Sequence, residues 1–256
     1  MSLIFDSHAH YDAEQFDPDR DAVLSVLPEE GVCAVVQCAT DPDSIKKSLA
    51  MAEAYPYIRV AVGIHPEFVN QATDEWLTAV REAAAHPAVC AIGEIGLDYY
   101  WEENAPRQVQ IDWCRKQIEL AMELNLPIIF HDREAHEDTL NLMREYSPRG
   151  VVHCFSGSAE MARQLTDLGL YIGLGGAATF KNARKPVEVA QSLPLDRLLL
   201  ETDAPYMAPV PLRGKRCDSR MIAHTAARIA EIRGMDGVAL LEAARANANA
   251  LFGLNL

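Results

Sequence analysis

The sequence contains no Cys-x-x-Cys pair, and its six cysteines are scattered along 256 residues. Because short cysteine spacings are typical of metal sites and disulfide frameworks, this scatter predicts reduced thiols in a cytoplasmic protein. The sequence also lacks an apolar run long enough to span a bilayer, and Asp6, His8 and His10 interrupt the apolar start of the chain. We therefore expect neither a membrane contact nor a targeting segment.

Basic residues are in the minority, because 23 Lys and Arg against 37 Asp and Glu give a formal net charge of −14. This charge excludes a large basic footprint for nonspecific nucleic-acid binding. It leaves room for a nucleic-acid-processing site in which bound cations offset the negative charge. No Gly-x-Gly-x-x-Gly follows the first apolar segment, which argues against a dinucleotide-binding fold.

What the sequence does contain is a repeating unit of a short apolar segment, a turn and an amphipathic helix. Eight such segments are predicted to be strands, at residues 3–6, 31–39, 58–64, 88–95, 127–130, 150–152, 170–174 and 198–200. Near-continuous apolar strands that alternate with helices predict a parallel sheet covered by helices. Eight units in this length predict an α/β fold, a single-domain (β/α)8 TIM barrel over residues 1–256.

Polar side chains that suit metal ions stand where the predicted strands end. His8 and His10 follow the first strand, and because alternate side chains of an extended chain face the same way, both point to one spot. The later strands end in His65, Glu94, His131, His153 and Asp203. Taken alone, each of these residues could have an ordinary structural role instead of binding metal. Since a barrel gathers the ends of its strands on one rim, we expect them to act together in binding metal.

Six potential metal ligands, counted without His65, are more than one tetrahedral ion takes, so we expect two divalent ions. Strands 1 and 8 become neighbours when the barrel closes, which groups His8, His10 and Asp203. Strands 5 and 6 are neighbours as well and supply a second group of two histidines. Glu94, on the strand between the groups, is the predicted bridge because a carboxylate has two oxygens.

Three segments resemble the TatD-related metal-dependent deoxyribonucleases, a family within the amidohydrolase-like barrels: residues 4–12 (IFDSHAHYD), 127–135 (PIIFHDREA) and 198–206 (LLLETDAPY). Shorter segments around His65, Glu94 and His153 are similar to family segments in the same order, so the resemblance covers nearly the whole chain. It implies a divalent-metal-dependent hydrolase that cleaves DNA phosphodiester bonds as an exonuclease, with DNA as its substrate.

The resemblance implies a binuclear site, in which His8, His10, Glu94 and Asp203 hold one divalent cation and Glu94, His131 and His153 hold the other. Imidazoles and carboxylates suit zinc, manganese or nickel, and suit magnesium less well. Asp203 and Glu94 are the predicted catalytic residues: Asp203 accepts the proton of the attacking water, and Glu94 bridges the two ions.

Three further residues are expected to serve the site. His65 and Arg133 are candidates for binding the phosphate, with a packed imidazole and an ion pair to Glu134 or Glu137 as their respective alternatives. Glu201 is expected to orient a metal ligand, and a salt bridge inside the barrel is its alternative.

The chain departs from the family pattern in two places. Relatives often carry an Asn-Glu-Pro-like segment after an Arg-Gly-Lys sequence, where this chain has Cys217, Asp218 and Ser219. Tyr11 stands where an aliphatic residue is common. We expect the segment 217–219 to shape the mouth of the site and thereby the choice of substrate.

Two other functions are compatible with the sequence. One is an amide- or ester-bond hydrolase on the same scaffold, although related barrels often bridge their metals with a carboxylated lysine after strand 4, where this chain has Glu94. The other is a non-catalytic metal- or DNA-binding protein, against which the full ligand set, including Asp203, argues. The sequence indicates no obligate protein partner.

Overall fold

The computed structural model describes residues 3–256, and a parallel eight-stranded sheet in the order β1 to β8 forms its centre. The strands are β1 Ile4–Ala9, β2 Val32–Cys38, β3 Ile58–Val62, β4 Val89–Asp98, β5 Ile128–Arg133, β6 Gly150–Val152, β7 Tyr171–Leu174 and β8 Leu198–Leu200. A parallel bridge between Ala9 and Ala204 joins the end of β1 to the segment after β8. The predicted (β/α)8 barrel is therefore confirmed.

Helices alternate with the strands and cover the outside of the sheet. They are α1 Arg20–Val26, α2 Pro42–Ala54, α3 Asp74–Ala83, α4 Arg107–Glu123, α5 His136–Tyr146, α6 Ala159–Asp167, α7 Arg184–Ser192, α8 Ile222–Arg233 and α9 Gly237–Phe252. The Asp41 side chain accepts hydrogen bonds from the amides of Asp43 and Ser44, so it caps α2 and satisfies two amides that the helix cannot pair. No helix within residues 3–256 has the length and apolar character needed to cross a membrane.

The core has two parts because each strand is buried on both faces. The larger apolar cluster lies between the sheet and the helices. The smaller cluster contains Phe5, Ile129 and Leu199 and is completed by Leu251 and Phe252 of α9. The ring of Phe252 stacks on that of Phe5 with centroids 6.1 Å apart. Helix α9 therefore closes one part of the barrel with apolar side chains.

Three strands run further toward the polar rim than the sequence predicts. β1 continues to Ala9, β4 to Asp98 and β5 to Arg133. The prediction ended β4 at Ile95, and it was wrong because Gly96 does not break the strand. Its φ of +144° instead keeps the strand paired with His131 of β5. The longer strands place the polar side chains on regular, hydrogen-bonded backbone.

Candidate metal centre

The carboxylate of Glu94 lies at the middle of a cluster of imidazoles. Its Oε2 is 3.3 Å from His8 Nε2 and 3.2 Å from His10 Nε2, and its Oε1 is 3.4 Å from His65 Nε2, 2.8 Å from His131 Nδ1 and 2.7 Å from His153 Nε2. Burial alone would raise the pKa of Glu94, but attraction to the surrounding imidazoles outweighs it and holds the pKa well below its usual range. Glu94 is therefore an ionised carboxylate shared by five histidines.

His8, His10 and Asp203 form one group of converging ligand atoms. The Nε2 atoms of the two histidines are 2.9 Å apart, and Asp203 Oδ1 lies 3.7 Å from the first and 3.6 Å from the second. Backbone hydrogen bonds hold the group together across the closure of the barrel, because the amide of Asp203 donates to the carbonyl of His8 and the amide of His10 donates to that of Ala204. The structure thus brings together the group predicted from strands 1 and 8.

His131 and His153 also lie side by side, with Nδ1 of the first 3.2 Å from Nε2 of the second. The ring of His153 stacks on that of His8 at 3.8 Å between centroids, so the two predicted groups are in direct contact. Ligand atoms within 4.8 Å of one another fall into three sets: His8, Glu94 and His153; His8, His10 and Asp203; His65, Glu94 and His131. All six predicted ligands therefore occupy one place in the structure, and their binding of metal stays a prediction.

Hydrogen bonds orient two of the imidazoles as metal ligands require. His10 Nδ1 lies 2.9 Å from the carbonyl oxygen of Cys38, to which it can only donate. His131 Nε2 lies 3.1 Å from Asp98 Oδ2 and donates to that carboxylate. A neutral imidazole that donates through one nitrogen presents a lone pair on the other, here His10 Nε2 and His131 Nδ1, both facing Glu94. This donor set fits a divalent metal ion.

The imidazole of His65 has the opposite orientation. The amide of Glu67 donates to His65 Nδ1 at 3.2 Å, so the proton of the neutral ring sits on Nε2, the atom that faces Glu94. A ring nitrogen that carries a proton is a hydrogen-bond donor and not a metal ligand. This arrangement favours the predicted phosphate contact over a role as a seventh ligand, although His65 lies closer to the ligands than the sequence suggests.

The ring environments set different proton affinities. Burial and the neighbouring His153 hold the pKa of His8 well below its usual value. Burial opposes protonation of His10 and His131 too, but their carboxylate partners outweigh it and raise the pKa to about 9 for His10 and about 10 for His131. Because a ligand imidazole must be neutral, a metal ion has to displace a proton from both rings.

A cavity of about 600 Å³ opens above these groups, and Arg133 lies on its wall. The Arg133 guanidinium stacks on the ring of Tyr100, 4.0 Å from its centroid. Within residues 3–256, no ion pair joins Arg133 to Glu134 or Glu137, the alternative considered from the sequence. The guanidinium is therefore available to a ligand in the cavity.

Glu201 is buried, and the amide of Cys154 donates to one of its oxygens. No protein group within the described residues pairs with its other oxygen, and burial raises its pKa well above the usual range. The alternative of a salt bridge is wrong for this part of the chain. Glu201 instead contacts the backbone that directly follows His153, and its role in orienting a metal ligand stays a prediction.

Sequence reasoning missed Asp98, which contacts His131 directly. The signal was present in the similar segment around Glu94, which includes Asp98, but no role was assigned to that residue. It also missed Trp101, which lines the cavity beside Arg133. Nothing in the local sequence pattern distinguishes that tryptophan from an ordinary surface residue.

The predicted place of the segment 217–219 is wrong. Cys217, Asp218 and Ser219 are buried, and none of them lines the cavity. The hydroxyl of Ser219 donates to Asp6 Oδ2 at 2.7 Å and lies 2.7 Å from the hydroxyl of Tyr11. The two departures from the family pattern thus contact each other in the core, because a buried tyrosine hydroxyl needs a polar partner.

Known proteins resemble this chain over its whole length. The family model for TatD related DNase matches residues 5–253. The uncharacterized metal-dependent hydrolase YabD of Bacillus subtilis is 41% identical over 99% of this chain and 100% of that protein. The 3'-5' ssDNA/RNA exonuclease TatD of Musicola paradisiaca is 34% identical over 98% of each.

Solved structures agree with these relatives. The crystal structure of YjjV, a TatD homologue from Escherichia coli, has a TM-score of 0.94 and 32% identity, covering 99% of both chains. The match therefore covers nearly the whole of both chains, including the order of the strands in the barrel. The chain belongs to the TatD-related DNase family of metal-dependent hydrolases.

Proposed function

We propose that this protein is a nuclease that uses two divalent cations to hydrolyse phosphodiester bonds at the end of a DNA strand. The observation that carries the proposal is the position of Glu94, whose two oxygens face two different groups of ligand atoms. Membership of the TatD-related DNase family and the exonuclease name of the Musicola paradisiaca relative support the choice of substrate.

The proposed ligands of one ion are His8, His10, Glu94 and Asp203, and those of the other are Glu94, His131 and His153. The ions would acidify a water molecule and offset the charge on the phosphate, as in other two-metal phosphoesterases. Their number and identity are part of the proposal, and nitrogen-rich ligands favour zinc, manganese or nickel over magnesium.

Asp203 is the proposed acceptor of the proton from the attacking water. With 19% of its side chain exposed, Asp203 is the most exposed of the six proposed ligands, and it lines the cavity. Burial raises its pKa above the usual value, so it holds a proton more readily than a surface aspartate does. A base must reach the proton it takes, and Asp203 lines the cavity where the water would lie.

His65 and Arg133 are the proposed phosphate contacts. Both residues line the cavity: the neutral His65 ring has its proton on Nε2, beside Glu94, and Arg133 presents a guanidinium with several N–H donors. Both would donate to phosphate oxygens, which have lone pairs and negative charge to share. Together they fix the phosphorus over the carboxylates before the water attacks.

The test measures metal content and turnover of wild type, Glu94→Ala, His131→Ala and the control His224→Ala, in which an exposed histidine of α8 is removed. The substrates are single-stranded oligonucleotides labelled at the 5' or the 3' end, with zinc, manganese, nickel or magnesium supplied in turn. We expect two equivalents of metal and stepwise digestion for wild type and His224→Ala. We expect less metal and little turnover for the other two variants.

Two results would contradict the proposal. One is full phosphodiesterase activity with two bound ions in either Glu94→Ala or His131→Ala. The other is a wild-type protein that binds metal and hydrolyses p-nitrophenyl acetate or a dipeptide, but not the oligonucleotides. That second result would assign the same centre to ester or amide bonds.

A further inference from the structure

Two large aromatic side chains lie exposed directly after β4. Tyr100 is 46% exposed and Trp101 is 41% exposed, and their rings meet edge to face with centroids 4.7 Å apart. Large aromatic rings are usually buried because removing them from water is favourable. An adjacent exposed pair beside a cavity therefore marks a surface that is available to a ligand.

A cationic side chain lies over the two rings. The guanidinium of Arg133 lies 4.0 Å from the centroid of Tyr100 and 5.2 Å from that of Trp101. The group formed by Tyr100, Trp101 and Arg133, in which the cation lies over the Tyr100 ring and the two rings meet edge to face, is called the aromatic stack below. Such a surface combines flat π faces with positive charge in a protein whose net charge is −14.

The aromatic stack is attached to the candidate metal centre. Trp101 and Arg133 line the same cavity as Glu94 and His131. Asp98 connects them, because its Oδ1 accepts a hydrogen bond from the amide of Tyr100 at 2.9 Å while its Oδ2 accepts from His131 Nε2 at 3.1 Å. A group bound on the aromatic stack would therefore lie at a fixed position relative to the candidate metal ligands.

We propose that the aromatic stack is a nucleobase-binding subsite that takes an unpaired base of the nucleotide at the scissile phosphate. The inference rests on the proposed function and adds to it the part of the substrate that is recognised. Every base has a π face, so stacking tolerates all sequences. In a duplex, neighbouring bases cover those faces, so the subsite selects single strands or frayed ends.

The kinetic test compares two single-stranded oligonucleotides that differ only in their terminal residue, thymidine or abasic deoxyribose. For wild type we expect a higher kcat/KM on the thymidine end. Because a stacked base contributes about 5- to 150-fold to affinity, Trp101→Ala should lower the ratio of the two kcat/KM values by a factor in this range. Trp101→Phe, which keeps a π face, should restore most of the ratio, and Trp113→Phe on α4 is the matched control.

Fluorescence gives a readout that does not depend on turnover. The chain has three tryptophans. Mixing the protein with the thymidine oligonucleotide in a stopped-flow instrument should quench emission before products form, and the abasic oligonucleotide should quench much less. Trp101→Phe should abolish this quenching, whereas Trp76→Phe should retain it.

The two proposals fail in different ways. If neither oligonucleotide is cleaved but thymidine still quenches Trp101, the nuclease function is wrong and base binding stands. If wild type cleaves both ends equally well and Trp101→Ala does not change the ratio, the subsite is wrong while the nuclease stands. Cleavage of a blunt hairpin duplex as fast as of the single strand would also overturn the subsite, and would leave the aromatic stack as a surface for another ligand.

Discussion

The carboxylate of Asp98 lies 3.1 Å from Nε2 of His131, while Glu94 lies 2.8 Å from Nδ1 of the same ring. The two residues come from the paired strands β4 and β5, where Asp98 is opposite Arg133 and Leu97 is opposite Asp132. Asp98 is almost fully buried, and burial alone would raise its pKa, but the hydrogen bond and charge of His131, together with the Tyr100 amide and the Arg133 charge, outweigh burial and lower the pKa. It therefore holds the proton of His131 on Nε2 and leaves the lone pair of Nδ1 for the centre.

Asp98→Asn should move the proton of His131 from Nε2 to Nδ1. The oxygen of the asparagine side chain can accept from the Tyr100 amide only if its NH₂ group faces His131. We expect about 10- to 100-fold weaker metal binding or activity, as is typical when the hydrogen-bond partner of a ligand histidine is lost. Metal titration of the purified variant measures the effect, and Asp112→Asn on the exposed face of α4 is the control. Unchanged metal affinity in Asp98→Asn, with an unchanged melting temperature, would show that the hydrogen bond does not orient the ligand.

Gly96→Ala should disturb the same strand pair by steric contact. A Cβ at this position would lie 2.1 Å from the carbonyl oxygen of His131, and the φ of +144° is unfavourable for any side chain. We expect a loss of order 1–3 kcal/mol in the free energy of unfolding from the backbone strain alone, and weaker metal binding because His131 must move. Denaturant unfolding and metal titration measure the two effects.

Gly31→Ala separates strain from steric contact. Gly31 also has a positive φ, of +92°, but a Cβ there would meet nothing within 4 Å. This variant should lose stability and keep its metal affinity. Equal metal affinity in the two alanine variants would contradict the close approach of β4 and β5 at His131.

Tyr11 and Ser219 should be energetically coupled. The tyrosine hydroxyl accepts from the amide of Ser219 at 2.9 Å and lies 2.7 Å from its hydroxyl, which in turn donates to Asp6. Removal of either partner leaves a buried polar group unpaired, so Tyr11→Phe and Ser219→Ala should each cost about 1–3 kcal/mol of unfolding free energy. The double variant should cost less than the sum, by about 0.5–3 kcal/mol, in a urea-denaturation cycle. Additive effects would mean that the two positions act independently.

His136 should make stability depend on pH. Its Nδ1 is 2.8 Å from Asp132 Oδ2, and this hydrogen bond raises the pKa of His136 above its usual value. A raised pKa means that the folded protein binds the proton more tightly. The contribution to stability is therefore complete below the ordinary pKa of 6.5 and is lost as the pH rises through the raised one.

His136→Gln should therefore lower the free energy of unfolding more at about pH 5.5 than at about pH 9. The imidazole is about one third exposed, so solvent screening limits the difference to roughly 0.5 kcal/mol. Denaturation curves of wild type and variant at the two pH values measure it, with His224→Gln on α8 as the control. A larger cost at the higher pH would reverse the assigned direction of the pKa shift.

The barrel could be predicted from the sequence because each strand is buried on both faces and each is followed by a helix of its own. The polar side chains at the strand ends could be placed on one rim for the same reason, since a closed parallel barrel has only one such rim. The resemblance to a known family then divided these ligands between two ions. The barrel and its polar rim need only the order of elements along the chain, whereas the division between two ions needs the family resemblance as well.

The rest depends on which residues face each other across the structure. The contact of Asp98 with His131 follows from the register of β4 and β5, which the pattern of apolar residues does not encode. The contact of Tyr11 with Ser219 joins positions 208 residues apart, and each looked like an isolated departure from the family pattern. The extension of β4 beyond Ile95 was missed because a glycine needed for close packing, such as Gly96, looks the same in a sequence as one that ends a strand.

The closure of the barrel has a consequence for the order of synthesis. Asp6 of β1 accepts hydrogen bonds from Thr202 across 196 residues, and Asp203 completes the group that begins with His8. A ribosome makes β1 well before the segment after β8, because 196 residues separate Asp6 from Thr202. A nascent chain or a truncated fragment that ends before residue 203 therefore lacks the proposed proton acceptor, and the proposed nuclease activity needs a chain in which β1 and the segment after β8 are both present.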